Sequence, residues 1–596
     1  MASKLIRTVK ESDASDLGEK IVKYALVIGI STAVCFGAYL IYKQQQKPKQ
    51  QNKADTNERT TAKTTTTTIG SDDGHTILKS NENIKKSKLD ESIELKNEGN
   101  AKYRDKKFVE AIAYYTKAID ACPADHDEQL SQFYQNRAAA YESLQDMEKV
   151  IEDCSRAIEL NPKYVKCIQR RARAAETIGN NELALEDYST VCFLDNFQPV
   201  YVMSADKILT ELAKEYISNL SPNTAELSRD FVHTSLNEFE DDPALSTSFI
   251  NEIQTAHPDS NLDRAYKALN DGNFSEISDL CTREIESEDS EYKNQARLLR
   301  GSFYILNGQY NEAVADFDTV IDDLNSTEEM KINGKLKRAN ARIHLRDLEG
   351  AMNEYKTCID SHPNSCTPRV HSGMLKTLLE QYEDADEDFA KAIEISPTNL
   401  RAKYQKLIND TKIGSKNNNK YLVDQALSQF EEYFDTCKKD IYYALALTSA
   451  YLDNDRKDKA LEYLNKFIQE IPDSPTLLAL KANCLMTTDP SNADEAERLY
   501  KQALNYDASN ETVLTMYAIF KCNRNQFDEA AELYEKAIHC SRGEEKLMQY
   551  AALLFAIRAQ GRAIKRLNIS FPGNAGFPPG GAMGGAGLPA WLGGMG

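Results

Sequence analysis

The chain has 596 residues, with 72 Lys and Arg against 92 Asp and Glu, for a formal net charge of −20. That balance argues against nucleic acid as a principal partner, because phosphate binding needs a basic stripe; it suits the holding of basic clients. The 12 cysteines form no regular framework and the 8 histidines show no ligand spacing, which predicts a reduced, cytosol-facing chain with no metal site and no cofactor.

Residues 1–23 are short and mixed in charge. Tyr24 to Tyr42 then carries no charge at all, and at 1.5 Å per residue it spans roughly 28 Å, enough for a thin bilayer. Tyr24, Tyr39 and Tyr42 stand at its ends as interfacial anchors. A cleavable signal peptide would have a shorter apolar core and a small-residue cleavage site; here Lys43 and three glutamines follow directly. Lys43, Lys47, Lys49 and Lys53 meet no acid before Asp55, so the positive-inside rule leaves the large C-terminal part in the cytosol. The segment 24–42 is therefore read as a transmembrane signal anchor, with 1–23 on the far side of the membrane. Residues 43–88 contain a glutamine run, a threonine-rich run and almost nothing apolar, which predicts a disordered linker.

From Leu89 to Pro199 the pattern becomes periodic. Ala111, Tyr115, Ala118 and Pro123 are followed by Ala138, Val150, Cys154, Ala157 and Pro162, then by Ala172, Ala184, Tyr188 and Val191. Small and aromatic residues at these offsets resemble the tetratricopeptide repeat (TPR), a helical hairpin of 34 residues, and Val150 to Ala184 is one such period. In each unit a small residue lets helix A approach helix B while an aromatic fills the gap beside it. Proline after helix B ends the helix.

With units starting near Ser92, Ser131 and Val165, Lys96 and Asn100 are the fifth and ninth residues of the first unit. Asn136 is the sixth of the second, and Lys166 and Arg170 are the second and sixth of the third. These offsets share one face of helix A, the face that lines the inside of a TPR solenoid. Two lysines, an arginine and two carboxamides aimed into one groove suit a peptide's C-terminal carboxylate, through charge-assisted hydrogen bonds and amide donors and acceptors. Arg171 points about 100° away and is read as an ordinary face residue.

Val200 to Asn219 predicts one long amphipathic helix with Ile208, Leu209, Leu212, Tyr216 and Ile217 on its apolar side. The acidic stretch Phe239 to Pro243 fits no repeat, so 200–257 is taken as a linker between two solenoid segments. Repeats resume near Pro258, with helix B anchors at Ile277, Ala313, Ala351, Ala385, Ala426, Ala460, Ala496 and Ala530. That gives about eleven units in all, closed by a capping helix from Glu544 to Leu567. Phe303, Tyr304, His344, Met374 and Tyr443 fall on its A helices, as core or groove. Residues 570–596 are rich in glycine and proline and are predicted to be a disordered tail.

An anchor, a spacer, a three-repeat clamp, a long helix and an eight-unit second solenoid resemble the large TPR-containing preprotein receptor of the translocase of the outer mitochondrial membrane. The specific motifs are Lys96-Asn-Glu-Gly-Asn100, Asn136-Arg-Ala-Ala-Ala-Tyr141 and Lys166-Cys-Ile-Gln-Arg-Arg171. The resemblance implies an all-α TPR solenoid behind a single-pass mitochondrial outer-membrane anchor. It implies that Lys96, Asn100, Asn136, Lys166 and Arg170 form a clamp for the acidic C-terminal tail of the seventy- and ninety-kilodalton heat-shock chaperones. The region 258–569 would then accept hydrophobic, carrier-like mitochondrial preproteins for other translocase subunits. The glycine-rich tail departs from that pattern. With no phosphate loop or nucleophile elbow and no room for a further domain, an enzyme is not expected; the rival reading is a membrane-anchored co-chaperone or scaffold at another organelle such as the endoplasmic reticulum.

Overall fold

The computed structural model describes residues 73–195, 198–220, 226–239 and 242–568, with side chains from 88 onward. The expected anchor, most of the spacer and the tail from Ser570 lie outside these residues. Among the described residues there is no strand, and no helix is long and apolar enough to cross a membrane.

Three helical hairpins come first: α1 (Asp73–Arg104) with α2 (Phe108–Ala121), α3 (Asp127–Ser143) with α4 (Met147–Leu160), and α5 (Val165–Thr177) with α6 (Asn181–Leu194). Helix α1 starts upstream of Leu89, within the stretch expected to lack structure. Residues 73–88 hold Ile77, Leu78 and Ile84 among helix-forming lysines and Glu82, with no proline, so a helix nucleated by the repeat can propagate backwards through them. The long helix α7 (Pro199–Ser218) follows. Two short helices, α8 (Arg229–Leu236) and α9 (Thr247–Ala256), precede eight more hairpins. These are α10 (Asn261–Asp271) with α11 (Ile277–Glu286), α12 (Lys293–Leu306) with α13 (Tyr310–Asp322), α14 (Glu328–His344) with α15 (Leu348–Ser361), and α16 (Thr367–Leu378) with α17 (Tyr382–Ile395). Next come α18 (Leu400–Lys416) with α19 (Lys420–Glu431) and, after the single turn α20 (Phe434–Cys437), α21 (Ile441–Asp453) with α22 (Lys457–Glu470). The last are α23 (Pro475–Thr488) with α24 (Ala493–Tyr506), α25 (Glu511–Asn523) with α26 (Phe527–Cys540), and the final helix α27 (Glu544–Leu567).

The chain divides into two compact units, one built from residues up to Ser218 together with those from Ala552, the other from Asn219–Ala551. Helix α27, expected simply to cap the second solenoid, gives its residues before 552 to the second unit and the remainder to the first.

Every expected helix B anchor lies in the core. Ala111, Val150 and Ala184 in the first unit, and all eight from Ile277 to Ala530 in the second, are buried. The small-residue rule has a direct geometric form. A Cβ at Gly99 would lie 2.6 Å from the Tyr115 ring, one at Gly301 2.5 Å from Phe317, and one at Gly373 2.7 Å from Phe389. Only glycine lets these helix pairs close over their aromatics.

An ionic staple recurs at fixed register. Arg137 makes a bidentate pair with Asp153 at 2.9 and 2.7 Å and reaches Thr116 of the preceding helix B. Arg171 does the same with Asp187, both bonds 2.7 Å, and with Ser155. In the second unit Arg300 pairs with Asp316 and reaches Thr282. Each guanidinium thus ties helix A to its own helix B and to the one before, using the planar fork that suits carboxylates. Arg171, read from the sequence as an ordinary face residue, is buried: the 100° offset turns it from the groove into the hairpin seam.

Candidate binding sites

In the first unit the expected clamp residues come from three successive A helices. Tyr115 on α2, buried against Gly99, donates its hydroxyl to Asn100 Oδ1 at 2.8 Å. Burial pushes that phenol up to about 12, so it stays a donor at neutral pH. Asn136 Nδ2 on α3 donates to the same Oδ1 at 3.3 Å. The two amides from α1 and α3 are therefore joined directly. Asn100 Nδ2 is left as a donor, while Asn136 keeps its carbonyl as an acceptor.

Arg170 on α5 reaches α3. Its guanidinium donates to Glu142 Oε2 at 2.7 Å and to the Gln135 carbonyl at 3.4 Å, beside Asn136 in sequence. Gln135 Oε1 in turn accepts from the Tyr164 hydroxyl at 3.2 Å. Lys96 is half-buried one turn before Asn100, and Lys166 is exposed one turn before Arg170. Among the described residues neither lysine has an ion pair. The structure thus bonds Asn100 to Asn136 and ties Arg170 to the same helix α3 through Glu142 and the Gln135 carbonyl, with Lys96 and Lys166 one turn away on α1 and α5. Sequence reasoning missed Glu142, which pairs with this arginine. Its signal was the i, i+7 spacing of Gln135 and Glu142, which gives those two a common face.

The second unit holds a cavity of about 140 Å³ whose wall includes Asp230, Leu236, Glu238, Phe239, Tyr310, Asn340, His344, Glu511 and Lys546. Part of this wall comes from the stretch expected to be a linker. Leu227, Val232 and Leu236 pack in the core with Leu262, Tyr266 and Phe303, Phe239 packs with Leu336 and Leu375, and Ala244 packs with Leu298 and Phe317. Arg401 on α18 donates to the carbonyls of Glu238 and Asn237 at 2.6 and 2.8 Å. Lys337 on α14 and Asp242 form an ion pair in which each side chain is 1% exposed, and Lys337 also donates to Ser302 Oγ at 2.8 Å. The Phe239 ring stacks on His371 of α16 at 5.2 Å, and Tyr266 donates to the Ala244 carbonyl at 2.6 Å. Asp242 of the expected loop is thus structural: residues 226–239 and 242–245 pack against A helices of the second solenoid, with Arg401 on the Asn237 and Glu238 carbonyls and Lys337 on Asp242.

Of the A-helix residues marked in the sequence, Phe303 and Tyr443 are core, and Tyr304 and Met374 pack against core clusters. His344 lines the cavity, its ring stacked on Tyr310 at 4.7 Å. Burial pulls this imidazole down to about 4 and that of His371 to about 3, so both are neutral at physiological pH.

The Tetratricopeptide repeat family matches residues 131–164 and 369–399, and the family described as "Psidin, N-terminal TPR repeats region" matches 448–559. The Mitochondrial import receptor subunit TOM70 of Homo sapiens is 29% identical over 576 residues, covering 92% of this chain and 94% of that protein. The chain is similar to that receptor along nearly its whole length. The TOM70 of Saccharomyces cerevisiae (strain ATCC 204508 / S288c) is 26% identical over 79% of this chain and 80% of its own. Among solved structures, the crystal structure of the yeast Tom70 aligns at 22% identity with a TM-score of 0.46, over 81% of this chain and 99% of that one.

Proposed function

We propose that the chain is a preprotein import receptor of the mitochondrial outer membrane. It is held by the segment 24–42 with its repeats in the cytosol, and it acts by binding, not catalysis. The first unit docks seventy- and ninety-kilodalton heat-shock chaperones through their acidic C-terminal tail. The second takes a hydrophobic preprotein and passes it to other translocase subunits.

The observation that carries this reading is the bond between Asn100 and Asn136. It sets a donor pair on α1 beside an acceptor on α3, with Lys96 one turn before Asn100 on α1 and Lys166 and Arg170 on α5. A terminal carboxylate takes charge-assisted bonds from the cations, and the peptide's own N–H meets the Asn136 carbonyl. The likeness to receptors carrying the import name, over 92% of this chain for one and 79% for another, supports the choice of organelle over the endoplasmic reticulum.

The test is binding of an acidic chaperone C-terminal peptide to the full chain in detergent, with an affinity expected near micromolar, about −8 kcal/mol. Arg170→Ala and Lys166→Ala should each weaken it at least about tenfold, equivalent to about 1.4 kcal/mol, with an unchanged helical spectrum. Amidating the peptide's C-terminus should do the same. Equal affinity for free and amidated peptide would remove the clamp.

A further inference from the structure

The cavity wall carries three acids, and two of them are satisfied. Asp230 accepts from the hydroxyls of Ser474 and Thr476, both at 3.2 Å. Glu511 accepts from Tyr550 at 2.6 Å and faces Lys546 at 3.1 Å. Glu238 is different. It is 6% exposed and lines the cavity, yet among the described residues its carboxyl has neither a hydrogen bond nor an ion pair. Asn340 on α14 is in the same position: 8% exposed, on the same wall, its amide without a hydrogen bond among the described residues. Buried polar groups are ordinarily bonded, and an unpaired carboxylate out of water is costly.

We propose that Glu238 and Asn340 form the recognition point for one lysine or arginine side chain of a client polypeptide. The proposal rests on reading the second unit as the client-binding part. The cation supplies the hydrogen-bonded counter-charge that Glu238 lacks, and its remaining N–H groups meet the Asn340 carbonyl oxygen; lysine has three such donors and arginine five. The cavity is well below the roughly 300–1,000 Å³ of a small-molecule site, so it takes a side chain and leaves the client backbone outside.

The groups facing Glu238 support a cationic occupant. Tyr355 on α15 and Tyr442 on α21 lie close, and burial holds both phenols above their usual range, so they are neutral. His371 and His344 are neutral for the same reason. Lys337 is committed to Asp242. Arg401 faces the carboxyl but spends its guanidinium on the two backbone carbonyls. Desolvation outweighs this arginine and raises the Glu238 carboxyl to about 7. An incoming ammonium or guanidinium favours the charged form, so binding expels a proton from the part of the population that holds one.

The experiment uses the full chain in detergent with a short amphipathic helical peptide bearing one central lysine, and the same peptide with norleucine there. The lysine peptide should bind wild type more tightly as pH rises from about 6 to about 8. Glu238→Gln should weaken it about tenfold at the upper pH, equivalent to about 1.4 kcal/mol, and flatten the pH dependence. Asn340→Ala should weaken it with the pH dependence retained. The norleucine peptide should be indifferent to Glu238→Gln. Calorimetry of wild type in buffers of different ionisation enthalpy gives the proton count without any variant, and release is expected near neutral pH. A lysine peptide that Glu238→Gln and pH leave unaffected, while both peptides still bind, overturns the recognition point and leaves the client-binding reading standing. Failure of both peptides to bind wild type overturns both.

Discussion

In the proposed clamp, Glu142 would set the terms on which Arg170 meets an anion. Their 2.7 Å bond commits the arginine before a peptide arrives, and Arg173 stands 4.0 Å from the other carboxylate oxygen. A C-terminal carboxylate bound as proposed would have to compete with this partner or share the fork with it. Replacing the acid by its neutral isostere keeps a hydrogen-bond acceptor and removes the charge. Glu142→Gln should therefore tighten binding of the acidic chaperone peptide by about threefold, the scale of a partly exposed ion pair, and the gain should shrink in high salt. Titration of both proteins at low and high ionic strength measures it. An unchanged affinity would mean that Arg170 is a positioning residue for α3 and makes no contact with the peptide.

At the scale of the hairpin, stability rests on two devices that occur in both units. The first is the glycine under an aromatic. Gly301→Ala places a methyl 2.5 Å from the Phe317 ring, and because both sides are packed it should cost about 1–3 kcal/mol, read as a shift in the urea midpoint. The second is the staple. Arg300→Ala leaves Asp316 buried without its bidentate partner, so a loss of about 3–5 kcal/mol is expected; pairing Arg300→Met with Asp316→Leu should recover most of it. A double variant no better than the single would show that the charges, rather than the space between them, hold the hairpins in register. These devices also show what the sequence made legible. The glycine–aromatic spacing and the anchors from Ala111 to Ala530 follow from a repeat of 34 residues lengthened in some units by short insertions, and all of those anchors are buried. The face shared by Asn100 and Asn136 followed from helical geometry. Residues 226–239 and 242–245 did not, because nothing periodic marks a non-repeat segment packed against the A helices. Asp242 looked solvated until Lys337, far away in sequence, was brought against it, and Arg401 reached the Asn237 and Glu238 carbonyls. Arg171 was misread for a related reason: an offset of 100° says which way a side chain leaves the helix, and only the neighbouring hairpin says whether water is there.

For the folded chain as a whole, the second unit carries opposing pH-sensitive groups in one region. His371 is buried neutral beneath Phe239, its imidazole lowered to about 3. Its folded-state value lies below its unfolded value of 6.5, so the unfolded chain binds more protons in between. The stability it confers is complete above about pH 6.5 and is lost as pH falls toward about 3. His344 behaves in the same direction. Glu238 is raised from 4.5 to about 7, so here the folded chain binds more protons. Its contribution is complete below about pH 4.5 and is lost as pH rises toward about 7. Between about pH 5 and about pH 6.5 the histidines and the glutamate therefore pull the stability curve in opposite directions. His371→Phe should reduce the loss on acidification from about pH 7 to about pH 5 by about 2 kcal/mol, following 1.36 kcal/mol per unit over the interval. Glu238→Gln should steepen that loss. Hydrogen exchange of amides in 219–551, followed across this range in both variants and wild type, reads the two effects in the unit where they originate. If the two variants shift the pH slope in the same direction, the imidazole and the carboxyl do not sit in the dry environment that their burial describes, and Glu238 is not waiting for a cation.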